Sequence, residues 1–454
     1  MNTKYLPSLE QHTQAVGRDL FAAQRKQRRN SLSEAIYAQM LKLATSDDRL
    51  KTELFRFIDV LPAMTSDHST AQHLIEYVQQ PGVKLPAVAG KALALAEKLP
   101  FGDTLIAQSA HIGARTMSQR MIAGSNVQQV VKAIERLRQS NMTFTLDLLG
   151  EAVISEKEAL SYQQKYLDLI DGTAKAAARW QTNAPCDEAP FGALPRVNVS
   201  VKLSSLYARF DPMAAEATAT AVKDRLRPIF DLARKNNVYV HIDMEQYAYR
   251  DISRRIFDEI LMEPAYRDWA DVGIVVQAYL RDSEADLLGL LKWAKERGTP
   301  VTVRLVKGAY WDYETMIAAQ NGWESPVYSE KAETDANYER LTQLLIANHA
   351  HLRPAIASHN VRSVAHARAY AQLLGLAERT VEYQVLFGMG EAIGRALASV
   401  GERVRTYVPF GELLPGMAYL VRRLLENTSN DSFIRQVELD HQQEQALLVN
   451  PAEK

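Results

Sequence analysis

Cysteine is nearly absent from this chain: one residue, Cys186, lies in the polar stretch "TNAPCDEAPFG". A single thiol excludes an internal disulfide and any cysteine-rich zinc or iron–sulfur site, and such usage suits a reducing cytosol. Histidine is scarce as well, ten in 454 residues, so few ligands are available for a transition metal. Excess charge of one sign is missing: 53 Lys+Arg stand against 54 Asp+Glu, a net charge of -1. Nothing global therefore draws the chain to nucleic acid or an anionic membrane, and charge-driven chemistry must be local. Long apolar runs are lacking too. The stretch "LPAVAGKALALAEKL" carries lysines and falls short of the roughly 20 residues of a membrane span. The opening "MNTKYLPSLEQH" has neither the basic start nor the apolar block of a signal peptide.

What is present divides near residue 125. From about 8 to 125 the spacing predicts helices only. "EAIYAQMLKLA", "TELFRFIDVLPAM", "TAQHLIEYVQQ" and "GKALALAEKL" repeat apolar residues at three and four, with breakers between them. This is read as a helical arm and accessory domain, in which "RKQRRN" (25–30) is a solvated helix face. From 126 to 435 short β-rich runs alternate with helical stretches: 142–150, 196–203, 237–244, 272–280, 300–308, 354–360, 381–388 and 403–411. Eight βα units, each strand nearly continuous in apolar character, predict an α/β protein with a (β/α)8 barrel, followed by a tail over 436–454. A doubly wound sheet would need an early Gly-rich turn, and "FGMGEAIG" comes late with the wrong spacing.

Barrel chemistry collects at the C-terminal strand ends. Here those ends carry Asp147, Lys202, Asp243, Gln277 with Tyr279, Arg304 with Lys307, Ser358 with His359, and Tyr407. "VHIDMEQY" sets His241, Asp243 and Glu245 on one strand face, and with His359 they form the candidate for a metal-dependent hydrolase. Lys202, Arg304 and Lys307 at the same mouth would repel the cation. In "VTVRLVKGAYWDYE" two cations end a strand and Tyr310 and Trp311 follow, a combination that suits a planar, electron-accepting anionic cofactor. "GMAYLVRRLLENTSN" (416–430) follows the eighth strand and places Tyr419, Arg422, Arg423 and Glu426 on one helix face. Two adjacent guanidinium forks hold a small carboxylate in one orientation.

The motifs "VSVKLSSLYARFDP", "HIDMEQY", "VQAYLRD", "VTVRLVKGAYWDYE", "ASHN", "YQVLFGMGE" and "RTYVPFGELLPGMAYLVRRLLENTSN", in that order, resemble the proline dehydrogenase family. The likeness is to the form found in the bacterial bifunctional proline utilization A, and "ELFRFIDVLPAM" resembles that form's accessory region. The resemblance implies a distorted (β/α)8 barrel that holds FAD noncovalently and oxidises L-proline to Δ1-pyrroline-5-carboxylate. It also implies electron transfer to a membrane quinone by a cytoplasmic protein, peripheral at the inner face of the membrane. By motif, Lys202, Arg422 and Arg423 would bind the proline carboxylate. Asp243 and Tyr407 would organise that pocket, Leu386 would line it, and Tyr310 would pack beside the ring. Gln277, Arg304, Lys307, Trp311, Lys331, His359, Asn360 and Glu426 would hold the flavin.

Ser329 and Ser358 stand where the family often has Thr, which keeps a hydroxyl for the cofactor. Glu330 replaces a common basic residue near the adenosine side. No metal is expected. Neither the NAD-dependent aldehyde dehydrogenase domain of the bifunctional form nor its DNA-binding segment has a counterpart here, so no aldehyde oxidation and no nucleic-acid partner are expected. A flavin-binding scaffold without catalysis is the third alternative.

Overall fold

The computed structural model describes residues 6–27, 47–150, 153–411, 423 and 444–453. Eight parallel strands close into a barrel: β1 (Met142–Leu148), β2 (Val197–Val201), β3 (Val238–Ile242), β4 (Val272–Gln277), β5 (Val301–Val306), β6 (Leu352–Ala357), β7 (Glu382–Leu386) and β8 (Arg403–Phe410). β8 pairs with β1 from Met142↔Val404 to Leu148↔Phe410, and β1 also pairs with β2. All eight expected strands are present, with ends within three residues of those read from the sequence.

Alternation along each strand separates two environments. Val199, Val240, Ile274, Val303, Leu305, Ile356, Tyr383 and Val404 are buried on one face. The opposite face, turned into the barrel, carries Thr145, Asn198, Ser200, His241, Arg304, Glu382, Gln384, Arg403 and Arg405, all buried. This interior is polar, whereas barrel centres are usually filled by branched apolar layers. Small residues make room for it. At Gly273 an added Cβ would lie 2.5 Å from Tyr239 Oη and 2.6 Å from the His241 ring.

The chain falls into two compact units. One contains the described residues of Met1–Gln27, Asn126–Phe410 and Gln442–Lys454, and the other those of Arg28–Ser125 and Gly411–His441. This grouping differs from sequence boundaries at 125 and 435. Helix Leu6–Gln27, read as part of the accessory domain, packs on helices Val361–Leu373 and Glu391–Ser399 of the barrel. Its Leu9, Val16, Leu20 and Phe21 are buried, as are Leu447 and Leu448 of the segment read as a tail. Arg362 ties these pieces together. Its guanidinium donates to both Glu10 oxygens (2.6 and 2.7 Å), to Glu339 (2.7 and 3.0 Å) and to the Leu448 carbonyl (2.9 Å).

The second unit is helical, with helices Asp48–Val60, Asp67–Val78, Ala87–Ala96 and Gly102–Met121. Asp47 and Ser66 cap the first two by accepting from Leu50 N (2.9 Å) and Ser69 N (3.1 Å). Ala71, Ala96 and Ile106 form a small core with Leu74, Ile75 and Leu93 around it. The expected helix in "EAIYAQMLKLA" lies outside the described residues. Among those residues, no helix is long and apolar enough to cross a membrane.

Removing Arg362 would leave Glu339 buried without its main counter-charge. Arg362→Met is expected to cost about 3–5 kcal/mol in urea unfolding, while Glu10→Gln, at a wetter carboxylate, costs about 1 kcal/mol. Equal losses in the two variants would refute this account of the tie.

Candidate active site

The C-terminal rim is built around Asp243, just past β3. Its carboxylate accepts from Arg304 of β5 (2.6 Å) and from the Tyr407 hydroxyl of β8 (2.7 Å), and lies 3.7 Å from the Lys202 ammonium. Lys202 also contacts Asp147, at the end of β1. Two cations and two carboxylates balance, and each is at least nine-tenths buried. Balance is what permits this burial, because one uncompensated charge here would cost several kcal/mol. The Arg304 guanidinium stands 5.1 Å over the Tyr407 ring, donates to Gln384 Oε1 (2.7 Å) and donates to Ser200 Oγ (3.1 Å). Burial pushes the Tyr407 phenol well above its usual range, and the charges of Asp147 and Asp243 push the same way. Tyr407 therefore stays a hydrogen-bond donor.

A second group lies along the rim from β4 to β7. Gln277 donates to the Glu245 carbonyl (3.0 Å), while its own side-chain oxygen is buried with no hydrogen-bond partner. Lys307 contacts Asp335, which Lys331 reaches at 2.5 Å from one helical turn away. His359 Nε2 accepts from Leu386 N (2.9 Å), and Gly390 leaves space for that ring, since an added Cβ would lie 2.6 Å from it. Ser358 Oγ accepts from Asn360 N (3.1 Å), and Asn360 Oδ1 caps helix Val361–Leu373 by accepting from Arg362 N (2.9 Å). The Trp311 indole, half exposed, donates to the Tyr328 carbonyl (2.8 Å), and Tyr310 begins helix Trp311–Asn321.

Ser329 and Glu330 are exposed. Glu330 N donates to Glu333 (3.1 Å) at the start of helix Lys331–Ala347, which gives an acidic residue a use at a helix N-terminus. Of the residues expected on the helix after β8, Tyr419, Arg422 and Glu426 lie outside the described residues. Arg423 is helical and belongs to the second unit.

Sequence reading missed several partners. Gln384, Ser200 and Asp335 hold cations, and Ser204 holds Glu245 through its hydroxyl (2.6 Å). Asp335 had a visible signal, four residues after Lys331. Gln384 had only its place two residues before Leu386 on one strand face.

The metal alternative fares poorly on geometry. His241 sits one layer below the rim, where burial and then the Arg304 and Arg405 charges keep it neutral. Asp243 is committed to Arg304 and Tyr407. Among the described residues, no three His, Cys, Asp or Glu side chains converge.

Beneath the rim, Gln384 donates to Glu382 (2.6 Å), and Glu382 takes the Arg405 fork at 2.7 and 2.9 Å. Burial alone would raise the Glu382 pKa, but Arg405 and Arg403 outweigh it and hold the carboxyl at about 2. A depressed folded pKa gives stability that is present above about 4.5 and lost as pH falls from there to about 2. The expected contribution is about 3 kcal/mol. Unfolding free energy of the parent protein should therefore drop across that window more steeply than that of Glu382→Gln, by one proton's slope. Parallel curves would exclude the pairing as described.

A family model described as proline dehydrogenase matches residues 130–436, and one described as the proline utilization A N-terminal domain matches 10–121. The chain is 30% identical over 345 residues to the bifunctional protein PutA of Klebsiella aerogenes, a match that covers 74% of this chain and 25% of that protein. Against proline dehydrogenase 1 of Bacillus subtilis it is 28% identical over 324 residues, covering 71% and 90%. The crystal structure of proline utilization A from Bdellovibrio bacteriovorus inactivated by N-propargylglycine superposes with a TM-score of 0.90 at 40% identity. That superposition covers 98% of this chain and 44% of the other. The chain thus spans about a quarter of the length of the bifunctional relatives and under half of this solved one.

Proposed function

The chain belongs to the proline dehydrogenase family, and we propose that it oxidises L-proline to Δ1-pyrroline-5-carboxylate on noncovalently bound FAD, with electrons passing to a membrane quinone. The supporting observation is the Asp243 junction. Arg304, Tyr407 and Lys202 meet one carboxylate at the end of the barrel where substrates bind.

The residues present fit a flavin dinucleotide. The partnerless oxygen of Gln277 is an acceptor for a ring N–H, and it is buried where an unsatisfied polar atom is costly. Lys307 and Lys331 share the single counter-charge of Asp335, so this part of the rim carries one net positive charge for a diphosphate. Arg304, Trp311, Ser329, Ser358, His359, Asn360 and, by motif, Glu426 complete the assigned set. FAD, when bound, supplies the acceptor for the hydride that leaves the ring carbon next to nitrogen.

The protein's part is binding, orientation and charge. Lys202 presents positive charge to the substrate carboxylate, and the sequence motif adds Arg422 and Arg423 to that task. Asp243 fixes Lys202, Arg304 and Tyr407 relative to one another, so the pocket needs no rearrangement when substrate arrives. Tyr407 and Leu386, in register across β8 and β7, line the pocket, with Tyr310 beside the ring. Hydride departure requires the free amine, and the positive charge that Arg422 and Arg423 add by motif to an otherwise balanced rim disfavours the ammonium form, its proton passing to water. We place the protein in the cytoplasm, peripheral at the inner face of the membrane that holds its quinone.

Anaerobic titration of the flavin-loaded protein with L-proline is expected to bleach the absorbance band near about 450 nm. An unchanged spectrum at saturating proline would overturn the proposal. Arg422→Met and Arg423→Met should each raise the apparent KM for proline at least about tenfold, the loss of one charge-assisted hydrogen bond. A change of less than about twofold would remove that arginine from the carboxylate site.

A further inference from the structure

The opposite end of the barrel holds a second cluster of charge that proline oxidation does not use. A cavity of about 20 Å³ lies at the N-terminal strand ends, between the strands and the hairpin formed by Glu188–Ala189 and Gly192–Ala193. That space takes one or two species the size of water. Among its lining residues, Arg353, Arg403 and Arg405 face only Glu382 and Asp271 as carboxylates. Three positive charges against two leave one in excess.

The excess is localised. Arg405 occupies both oxygens of Glu382, and Gln384 adds a third bond to that carboxylate. Arg403 is left 3.6 Å from it, outside hydrogen-bonding reach, although its side chain is only 3% exposed. Its Nε is buried and has no hydrogen-bond partner. Arg353 fares little better, with Asp271 at 3.9 Å and one long bond to the Ala270 carbonyl (3.4 Å).

Both guanidiniums instead stack on one ring, Phe191 of the hairpin, at 4.1 and 5.3 Å from its centroid. A ring face attracts each cation but does nothing to relieve their mutual repulsion. A neutral donor is also present, because Tyr239 Oη lines the cavity and is buried, and its one neighbour, the Thr302 hydroxyl, donates to it and leaves the phenol O–H to donate in turn. Burial lowers the Arg403 pKa to about 10, which still leaves it charged at neutral pH.

We propose that the barrel floor binds a small monovalent anion, of chloride size, between Arg353 and Arg403 with the Tyr239 hydroxyl as third donor. One negative charge cancels the excess and supplies the missing partner to Arg403 Nε. The small space beside the two guanidiniums suits a chloride-sized ion better than sulfate, phosphate or a carboxylate. Phe191 closes the site from below, so the bound ion also fastens the hairpin to the strands. The site is remote in the sheet register from Asp243 and stabilises the fold without touching substrate.

Thermal unfolding tests this at constant ionic strength, with sodium chloride exchanged for sodium gluconate, whose anion is too large for the cavity. The Tm of the parent protein should rise by about 3 °C and saturate with chloride, and Arg403→Met should lose that dependence. No rise, a rise that climbs without saturating, or an unaltered rise in a folded Arg403→Met would each overturn the proposal. If Arg403→Met does not fold, crystals of the parent protein grown in sodium bromide decide. An anomalous peak between the two guanidiniums and Tyr239 Oη supports the site, and water or nothing at that position rejects it.

Discussion

Placing ionised groups inside a closed barrel is the constraint on which this structure depends. A β-barrel interior offers no backbone donors or acceptors to spare, since every strand is paired on both sides. Each inward charge must therefore find its partner among other side chains. The chain solves this with a continuous series of contacts. Arg405 grips Glu382, Gln384 donates to Glu382 and accepts from Arg304, Arg304 donates to Asp243, and Tyr407 donates to Asp243 from the far side. Gln384 is the hinge of the series because an amide has one face that donates and one that accepts. A carboxylate at that position would crowd Glu382, and a leucine would strand Arg304 Nε.

The alternation of eight β-rich runs with helical stretches made the barrel legible, although the strands, read as nearly continuous in apolar character, are apolar only on their outward side and polar within. The eight runs stood out by composition, and their C-terminal residues included Asp147, Lys202, Asp243, Gln277, Arg304 and Tyr407, which the fold brings to one rim. What periodicity does not encode is pairing across the barrel. Gln384 and Arg304 are 80 residues apart, and Glu10 and Arg362 are 352 apart. Helix Leu6–Gln27 shows the same limit: its apolar face reveals that it packs, and only Arg362 reveals on what. Glu330 carries the complementary lesson, since a departure from the family pattern became intelligible once the residue was seen at a helix N-terminus.

The rim and the floor answer the same electrostatic problem differently. At the rim, Asp147 and Asp243 match Lys202 and Arg304, so neutrality is intrinsic and the donors are held in place before a ligand arrives. That preorganisation suits a site whose ligand carries its own anionic group, because the substrate meets an already fixed frame and loses little to reorganisation. At the floor the arginines outnumber the carboxylates, and the remaining demand falls on a ring face and a small cavity.

The hydrogen-bond series joins these two ends, and its members cannot vary independently. Asp243 keeps its orientation only while Arg304 does, and Arg304 Nε is fixed by an amide whose direction is set by Glu382. Glu382 in turn stays ionised because Arg405 and Arg403 outweigh its burial. A change at the floor that protonated Glu382 would remove the reason for Gln384 to face as it does, and Arg304 would lose an acceptor two layers above. The polar interior therefore acts as a rigid post through the barrel, and the position of the Asp243 junction is set as much by the strand beginnings as by the loops that surround it.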